Sequence, residues 1–208
     1  MSTQLTDEFL SALAKRRTHY SLDKAITASQ ARVEKIVEAA VQSTPSAFNS
    51  QSARVVLLFG EHHDTLWQIT KDALRKIVPA EAFAPTEEKI NSFAAAAGTI
   101  LYFDDTLVVK TLQEKFPLYS ENFPIWAEQA SGMLQSNIWV ALATEGLGAS
   151  LQHYGELVGE TVKEHWNLPS SWKLIAQMPF GNSTASPSTK DHIPIAERVK
   201  VFRSNVIR

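Results

Sequence analysis

The sequence predicts an α+β protein, and three observations favour this fold class. Apolar residues recur at helical spacing in several long segments, and a few short runs rich in β-branched and aromatic residues indicate strands. Helices and strands do not alternate strictly along the chain, which argues against a doubly wound parallel sheet. The 208 residues suffice for one hydrophobic core, so we expect a single domain over residues 1–208.

The first half of the chain predicts four helices and two strands. Phe9 and Leu13 mark the apolar face of the first helix, and Thr27 and Gln30 have capping-box spacing at the start of the second. Pro45 ends the second helix, and the long polar loop 43–54 follows it. The later elements are a strand over 55–59, a helix over 66–77, a surface loop over 78–85, a helix over 87–97 and a strand over 99–103.

The second half predicts three more helices and two more strands. They are a helix over 106–116, a loop over 116–126 that combines aromatic rings with two prolines, a helix over 128–145, a strand over 149–154, a helix over 156–166 and a strand over 172–180. The long helix is apolar on most sides, which indicates a central position in the fold. A polar tail without periodicity follows Gly181.

Composition excludes several classes of protein. The formal net charge is −2 with scattered Lys and Arg residues, whereas a nucleic-acid binder usually has a basic face. Cysteine is absent, so disulfides and thiol chemistry are excluded. The N-terminus lacks the pattern of a signal peptide, and no apolar run is long enough for a membrane span. A cytoplasmic location is the default expectation.

Familiar nucleotide, metal and hydrolase motifs are missing. The sequence has no P-loop and no G-x-S-x-G. The segment GLGASL, residues 146–151, follows a helix and precedes a strand, so it predicts a helix stop and not a dinucleotide site. His62 and His63 are adjacent near a helix start, where we expect solvated side chains. The histidines have no spacing typical of metal ligands, and we expect no metal site.

Three polar segments are harder to explain as core. Arg16, Arg17 and Thr18 suit a phosphate clamp, or else a cationic helix end that complements the helix dipole. The amide and hydroxyl groups of the loop 43–54 can hydrogen-bond to the polar edge of a flat heteroaromatic ring. The alternative is that the loop is a capping turn rich in Ser and Asn. The segment SLQHYG, residues 150–155, places Gln152 and His153 on a short strand. This strand either contributes to a binding site or is an ordinary half-exposed strand.

Together these segments resemble the nitroreductase superfamily. The blocks are RRTHY, STPSAFNSQSARVVLLFGEHHDTLW, FPLYSENFPIWAEQASGMLQ, GLGASLQHY and WKLIAQMPFG, in the family's order and over nearly the whole chain. The residues of these blocks are most similar to the branch named for the fatty-acid-repression-mutant protein. The resemblance implies a central, mostly antiparallel sheet surrounded by helices. It also implies an obligate homodimer with FMN at the interface and residues 182–208 as an arm that packs on the partner subunit.

The resemblance also assigns residues to the flavin site. Arg16, Arg17 and Thr18 match the segment that binds the flavin phosphate and ribityl chain. Leu151, Gln152 and His153 match the segment that passes the isoalloxazine ring. Lys190, in the tail outside these blocks, is a candidate for a second phosphate contact. One departure concerns Tyr20, which stands where many nitroreductases have a basic residue and so puts the affinity for FMN in question. The loop that reaches the flavin from the partner subunit is matched by Pro45, Ser46, Phe48, Asn49 and Gln51.

The implied activity is FMN-dependent reduction of nitroaromatic or quinone-like acceptors by a ping-pong mechanism with NADH or NADPH as donor. His153 is a candidate proton donor because the unperturbed pKa of histidine lies near neutrality. Tyr119, Phe123 and Trp126 are candidates to cover the ring and select flat acceptors, or else they form dimer-interface core. The alternative function is a flavin- or lipid-binding regulatory protein with negligible turnover.

Overall fold

The computed structural model describes residues 2–26 and 28–203, and it places an antiparallel sheet between two layers of helices. The helices are α1 (Ser2–Lys15), α2 (Gln30–Ser43), α3 (Glu61–Arg75), α4 (Phe83–Ala94), α5 (Thr106–Lys115), α6 (Asn122–Thr144), α7 (Gly155–His165) and α8 (Ile195–Arg198). The strands are β1 (Leu22–Asp23), β2 (Ala53–Phe59), β3 (Gly98–Asp105), β4 (Gly148–Ala149) and β5 (Trp172–Ser183). The predicted α+β class and antiparallel sheet are confirmed.

The sheet is built around its two longest strands, β3 and β5. The strand order is β1-β5-β3-β2, and β4 pairs with the end of β5 beside β1. Every pairing is antiparallel. Strand β2 therefore lies at one edge, with its outer side not paired to any described strand.

Each face of the sheet carries its own hydrophobic core. On one face α2 and α6 pack against β3 and β5, with Val33, Ile138 and Met178 fully buried. On the other face α3, α4 and α7 cover the sheet, with Leu66, Ile90 and Val162 fully buried. Alternating side chains of the strands supply both cores, as expected for a sheet covered on both sides.

Helix α2 starts later than its predicted capping box. Ser29 is the N-cap, and its hydroxyl accepts a hydrogen bond from the backbone N–H of Arg32 at 3.2 Å. Gln30 is thus the first helical residue and not the third. Thr27, the predicted cap, lies outside the described residues. Pro45 stands two residues after the last helical residue, in agreement with the predicted stop.

Several predicted boundaries were wrong, and the helix predicted over 66–77 is α3, Glu61–Arg75. The loop over 78–85 contains a 3-10 turn, Ala80–Ala82, and α4 already begins at Phe83. Helix α6 begins at Asn122, because Pro124 lies in its first turn, where a missing N–H costs no hydrogen bond. The strand predicted over 149–154 ends at Ala149, and β5 continues to Ser183, beyond the predicted start of the tail.

His63 corrects the expectation that both adjacent histidines are solvated. His62 is exposed, but His63 is buried between α3 and the sheet. Its Nδ1 lies 2.8 Å from the hydroxyl of Thr99 and its Nε2 lies 3.1 Å from the carbonyl oxygen of Ala94. Trp67 Nε1 donates to the same Thr99 hydroxyl at 3.0 Å. Because a carbonyl accepts only, Nε2 carries the proton and Nδ1 accepts from Thr99.

Two negative findings concern the described residues. None of their helices is both long and apolar enough to cross a membrane. Within residues 2–26 and 28–203, no group of three or more His, Asp or Glu side chains is arranged to hold a metal ion.

Candidate functional site

A groove of about 460 Å³ collects predicted site residues from three parts of the chain. Arg16 and Thr18 come from the segment after α1, Leu151 follows β4, and Lys190 lies in the tail. The middle of α6 forms the remaining wall. The complete lining is Arg16, Thr18, Gly132, Gln135, Ser136, Trp139, Leu151 and Lys190.

The segment that carries Arg16 and Thr18 is held firmly against the end of the sheet. Thr18 forms an isolated bridge with Ala149, and the N–H of His19 donates to the carbonyl of Ala149 at 2.9 Å. The His19 Nδ1 lies 2.7 Å from the Ser183 hydroxyl. A side chain at Gly148 would lie 2.9 Å from Leu22 and 3.0 Å from His19, so glycine permits this close approach.

The two adjacent arginines have different roles. The guanidinium of Arg16 lies 4.5 Å from the ring centroid of Trp139, so a cation–π contact holds it at the groove wall. Arg17 turns away and donates to the backbone carbonyl of Ser188. Arg17 therefore fixes the tail two residues before Lys190 and does not line the groove.

The groove contains cationic and hydrogen-bonding groups that the protein leaves available. Among the described residues, no carboxylate lies within ion-pair distance of Arg16 or Lys190. The indole Nε1 of Trp139 is buried and has no hydrogen-bond partner in the described part of the chain. This N–H is closed to solvent in the single chain, so the groups that the groove offers to a ligand include the side chains of Arg16 and Lys190.

The α6 wall was not predicted from the sequence. Gly132, Gln135, Ser136 and Trp139 follow i, i+3, i+4, i+7 spacing and form one face of that helix. The sequence did show that Gln135 and Ser136 are polar residues in the middle of the helix, directly before its most apolar part. Gln135 is buried, and its Nε2 donates to the Ser131 hydroxyl at 2.9 Å.

The segment after Leu151 is placed beside the groove but only Leu151 lines it. Gln152 is buried, and its Nε2 donates to the Ser150 hydroxyl at 3.0 Å. His153 is exposed and outside the groove lining. Burial raises the pKa of Tyr154 above its ordinary value, so this hydroxyl is neutral at pH 7.

The polar loop 43–54 folds into a rigid turn elsewhere on the molecule. Phe48, Asn49 and Gln51 all have left-handed backbone φ angles, between 50° and 55°. The Ser46 hydroxyl accepts from the N–H of Gln51 at 3.0 Å, and Arg54 donates to the carbonyl of Gln51 at 2.7 Å. Such backbone angles persist only where the surroundings fix them, so this loop is preorganised.

Part of this loop lines a second cavity of about 530 Å³ between α2, β2 and α6. Pro45, Ser46 and Gln51 contribute to that cavity, whereas Phe48 and Asn49 do not. No residue lines both this cavity and the Arg16 groove. Ala130 and Leu134 face the cavity, on the side of α6 opposite to the groove face. Helix α6 therefore separates the loop from the groove within one chain.

The predicted aromatic residues gather around Phe48. The Phe48 ring lies 5.3 Å from that of Phe123, 5.8 Å from Tyr119 and 5.9 Å from Trp126. Phe116 joins the same cluster at 5.0 Å. Phe48 is 51% and Tyr119 45% exposed, so these two rings form an open aromatic surface, whereas Phe123 is buried beneath them in a small hydrophobic core.

Comparisons with known proteins agree on one group. A family model described as "Nitroreductase family" matches residues 13–182. The putative nitroreductase HBN1 of Saccharomyces cerevisiae is 34% identical over 187 residues, which cover 89% of this chain and 93% of that protein. The nitroreductase FRM2 of the same yeast is 32% identical over 190 residues, which cover 90% of this chain and 94% of that protein.

Solved structures give the same result. The nitroreductase CinD from Lactococcus lactis, in complex with chloramphenicol, is 43% identical and superposes with a TM-score of 0.86. The match covers 94% of this chain and 100% of that chain. The same protein in complex with 4-nitrophenol superposes with a TM-score of 0.85.

Proposed function

Because this chain belongs to the nitroreductase family, we propose that it is an FMN-dependent oxidoreductase that uses NADH or NADPH to reduce nitroaromatic or quinone-like acceptors by a ping-pong mechanism. The family makes it a nitroreductase-type oxidoreductase, and the cofactor, donor and acceptor are our proposal. One observation carries it: Arg16, Thr18, Leu151 and Lys190, far apart in sequence, meet at one groove beside α6.

The groove fits the parts of FMN. The unpaired cationic side chains of Arg16 and Lys190 suit the phosphate, and the Thr18 hydroxyl suits a polyol or phosphate oxygen. Leu151 gives an apolar wall for a flat ring. FMN in this groove would supply the two-electron chemistry between the pyridine nucleotide and the acceptor.

A homodimer would complete the site. The loop with Ser46, Asn49 and Gln51 lies across α6 from the groove of its own chain, so we propose that it reaches the groove of the partner subunit. Exposed apolar side chains support association, since Leu5 and Phe9 on α1 are 67% and 60% exposed and Phe202 in the tail is 95% exposed.

The tail also suits contact with a second copy. Residues 184–203 extend from β5 and are almost entirely exposed in the single chain, although they carry Ile193, Ile195 and Val201. We propose that the segment from residue 182 packs on the partner as an arm. Arg17 would fix the first part of this arm through Ser188 and so place Lys190 at the groove.

The acceptor is proposed to meet the aromatic cluster. Because Phe48 belongs both to the loop and to the cluster with Tyr119, Phe123 and Trp126, one subunit would supply both parts to the partner's groove. Flat rings stack well on such a surface. 4-nitrophenol, found in complex with the similar protein CinD, is a flat nitroaromatic of this kind. His153 is exposed and suits proton transfer to the reduced acceptor.

The testing experiment is a visible absorbance spectrum. The purified protein is incubated with FMN, desalted and titrated anaerobically with NADH and then NADPH, after which 4-nitrophenol is added. We expect retained flavin absorbance that bleaches with donor and returns with acceptor. Retained flavin that neither donor bleaches would favour the regulatory alternative, and protein that ignores added FMN would refute the proposal.

A further inference from the structure

Gln177 has an unusual set of bonds in the middle of β5. The residue is buried, with 1% of its surface exposed, and lies on the face of the sheet opposite to α6. Its backbone N–H donates to the carbonyl of Gln152 at 2.9 Å, and its carbonyl accepts from the N–H of Gln152 at 2.7 Å. Its side-chain Oε1 accepts from the N–H of Tyr154 at 2.8 Å. One residue thus holds the backbone at both 152 and 154.

These bonds matter because the segment 150–154 is not a regular strand. Strand β4 ends at Ala149, and the pair of Gln152 with Gln177 is an isolated bridge. The next fixed point is Gly155, where a side chain would lie 2.1 Å from the carbonyl oxygen of Leu174. Leu151, which lines the groove, is therefore held between the Ser150 N–H bond to the Pro179 carbonyl, at 3.2 Å, and the bridge of Gln152 to Gln177.

The side chain of Gln177 uses only half of its bonding capacity. Its Nε2 is buried and has no acceptor among the described residues. An apolar side chain of similar size would avoid that cost, so the amide contributes to this region through its oxygen. Its one side-chain bond is to the backbone N–H of Tyr154.

We propose that Gln177 is a positioning residue for the cofactor: its backbone bridge to Gln152 and its side-chain bond to Tyr154 together fix the segment from Leu151 to Tyr154 and so set how this segment meets the flavin ring. The inference rests on the proposed function, because it needs FMN in the groove. Gln177 acts from the far side of the segment, through the backbone of its neighbours, and does not line the groove itself.

The test compares Gln177→Met with wild type and with Thr70→Val. Methionine keeps the volume and removes the acceptor for Tyr154. Thr70 is an equally buried polar residue in α3, whose hydroxyl donates to the Leu66 carbonyl at 2.9 Å, away from the groove. We expect Gln177→Met to raise the FMN dissociation constant about fivefold, the effect of one lost hydrogen bond, and to shift the flavin absorption maxima and reduction potential. Thr70→Val should lower the melting temperature only.

Two results would overturn the inference and leave the proposed function intact. One is wild-type affinity, spectrum and potential in Gln177→Met, and the other is an effect on the flavin that Thr70→Val reproduces. Should Gln177→Met fail to fold, amide hydrogen exchange on the wild type decides the matter, because the Tyr154 amide must then be strongly protected. Fast exchange of that amide contradicts the inference. Failure of wild type to bind FMN would instead remove the proposed function.

Discussion

The ring of Phe48 stacks on the indole of Trp126, with the ring centroids 5.9 Å apart and the planes 17° apart. Phe48 lies in the polar loop after α2, and Trp126 lies near the start of α6. This contact joins the loop that we assign to the partner's flavin to the aromatic surface that we assign to the acceptor. A change at Trp126, which lies outside the loop, should therefore affect acceptor binding more than flavin binding.

Trp126→Ala tests this separation. Removing the indole takes away the stacked partner of Phe48, and an aromatic pair contributes about 0.5–1.5 kcal/mol. We expect the KM for 4-nitrophenol to rise roughly threefold to tenfold, with little change in the FMN dissociation constant. Steady-state kinetics and a flavin titration measure the two quantities.

The control for Trp126→Ala is Leu118→Ala, because Leu118 lies in the same turn as Tyr119 but is 93% exposed and outside the ring cluster. It should behave as wild type. Equal losses of FMN affinity and acceptor affinity in Trp126→Ala would show that the cluster holds the flavin and not the acceptor.

The two arginines after α1 should differ in their effect on FMN. Arg16 lines the groove, and a hydrogen bond to a charged group contributes about 1.5–3 kcal/mol, so Arg16→Ala should weaken FMN binding by roughly tenfold or more. Arg17 reaches the groove only through Ser188 and the tail, so Arg17→Ala should have a smaller effect. Quenching of flavin fluorescence gives both dissociation constants.

Arg75→Ala is the matched control, since Arg75 pairs with Glu87 on the surface of α3, away from the groove. It should leave FMN binding unchanged. A larger loss in Arg17→Ala than in Arg16→Ala would reverse the roles that the structure suggests.

The helices and strands that could be predicted are those that show a local sequence pattern, either helical spacing of apolar residues or strand composition. Buried runs such as 99–103 and 172–180 have strand composition throughout, and Gly146 ends α6 with a left-handed φ of 83°, as its position after an apolar helix indicates. The two-residue strands β1 and β4 were missed or misplaced, because such strands exist only through their pairing with β5. Pairing partners are distant in sequence and leave no local pattern.

The same limit applies to the candidate site. Resemblance of local blocks pointed to Arg16, Thr18 and Leu151, Lys190 was a candidate from the polar tail, and the structure brings these four together. Three further features depend on side-chain directions in the folded chain and were not predicted. They are the bond of Arg17 to Ser188, the place of Trp139 in the groove wall and the bonds of Gln177 to residues 152 and 154. The sequence pattern of β5 shows only that Gln177 is a polar residue in an apolar strand.

His63 should make stability depend on pH. Burial lowers the pKa of His63, which its bond to the Ala94 carbonyl only partly offsets. The folded state thus keeps His63 neutral where the unfolded chain already binds a proton. Its contribution is complete above the ordinary pKa of about 6.5 and is lost as pH falls through the lowered folded-state pKa.

Denaturant unfolding at about pH 7.5 and about pH 5 tests this expectation. Wild type should lose more stability between these conditions than His63→Gln, which cannot titrate. His62→Gln is the control, because His62 is the exposed neighbour and should keep the wild-type pH dependence. An unchanged pH dependence in His63→Gln would show that other groups cause the loss.

Substitution by asparagine at two neighbouring aspartates, Asp104 and Asp105, should change the free energy of unfolding in opposite directions. Burial raises the pKa of Asp104, and its Oδ1 has no hydrogen-bond partner among the described residues. The raised folded-state pKa means that ionised Asp104 costs stability once pH exceeds that pKa, so Asp104→Asn should raise the free energy of unfolding at about pH 7.5. Asp105 pairs with Arg54 at 3.0 Å, so Asp105→Asn should lower it. Denaturant unfolding compares the two variants, and a loss in both would mean that Asp104 is stabilised as a carboxylate.

Charges on the apolar face of α1 should separate the proposed subunits and release FMN together. Leu5 and Phe9 are four residues apart, on one exposed face of that helix, so Leu5→Glu with Phe9→Glu would place like charges in a symmetric interface. Light scattering should show monomers, and FMN affinity should fall because each groove lacks the partner's loop. Leu107→Glu, at a similarly exposed leucine on α5, should remain dimeric. Monomers that bind FMN with wild-type affinity would mean that one chain holds the complete cofactor site, and the loop with Ser46 and Gln51 would then need another role.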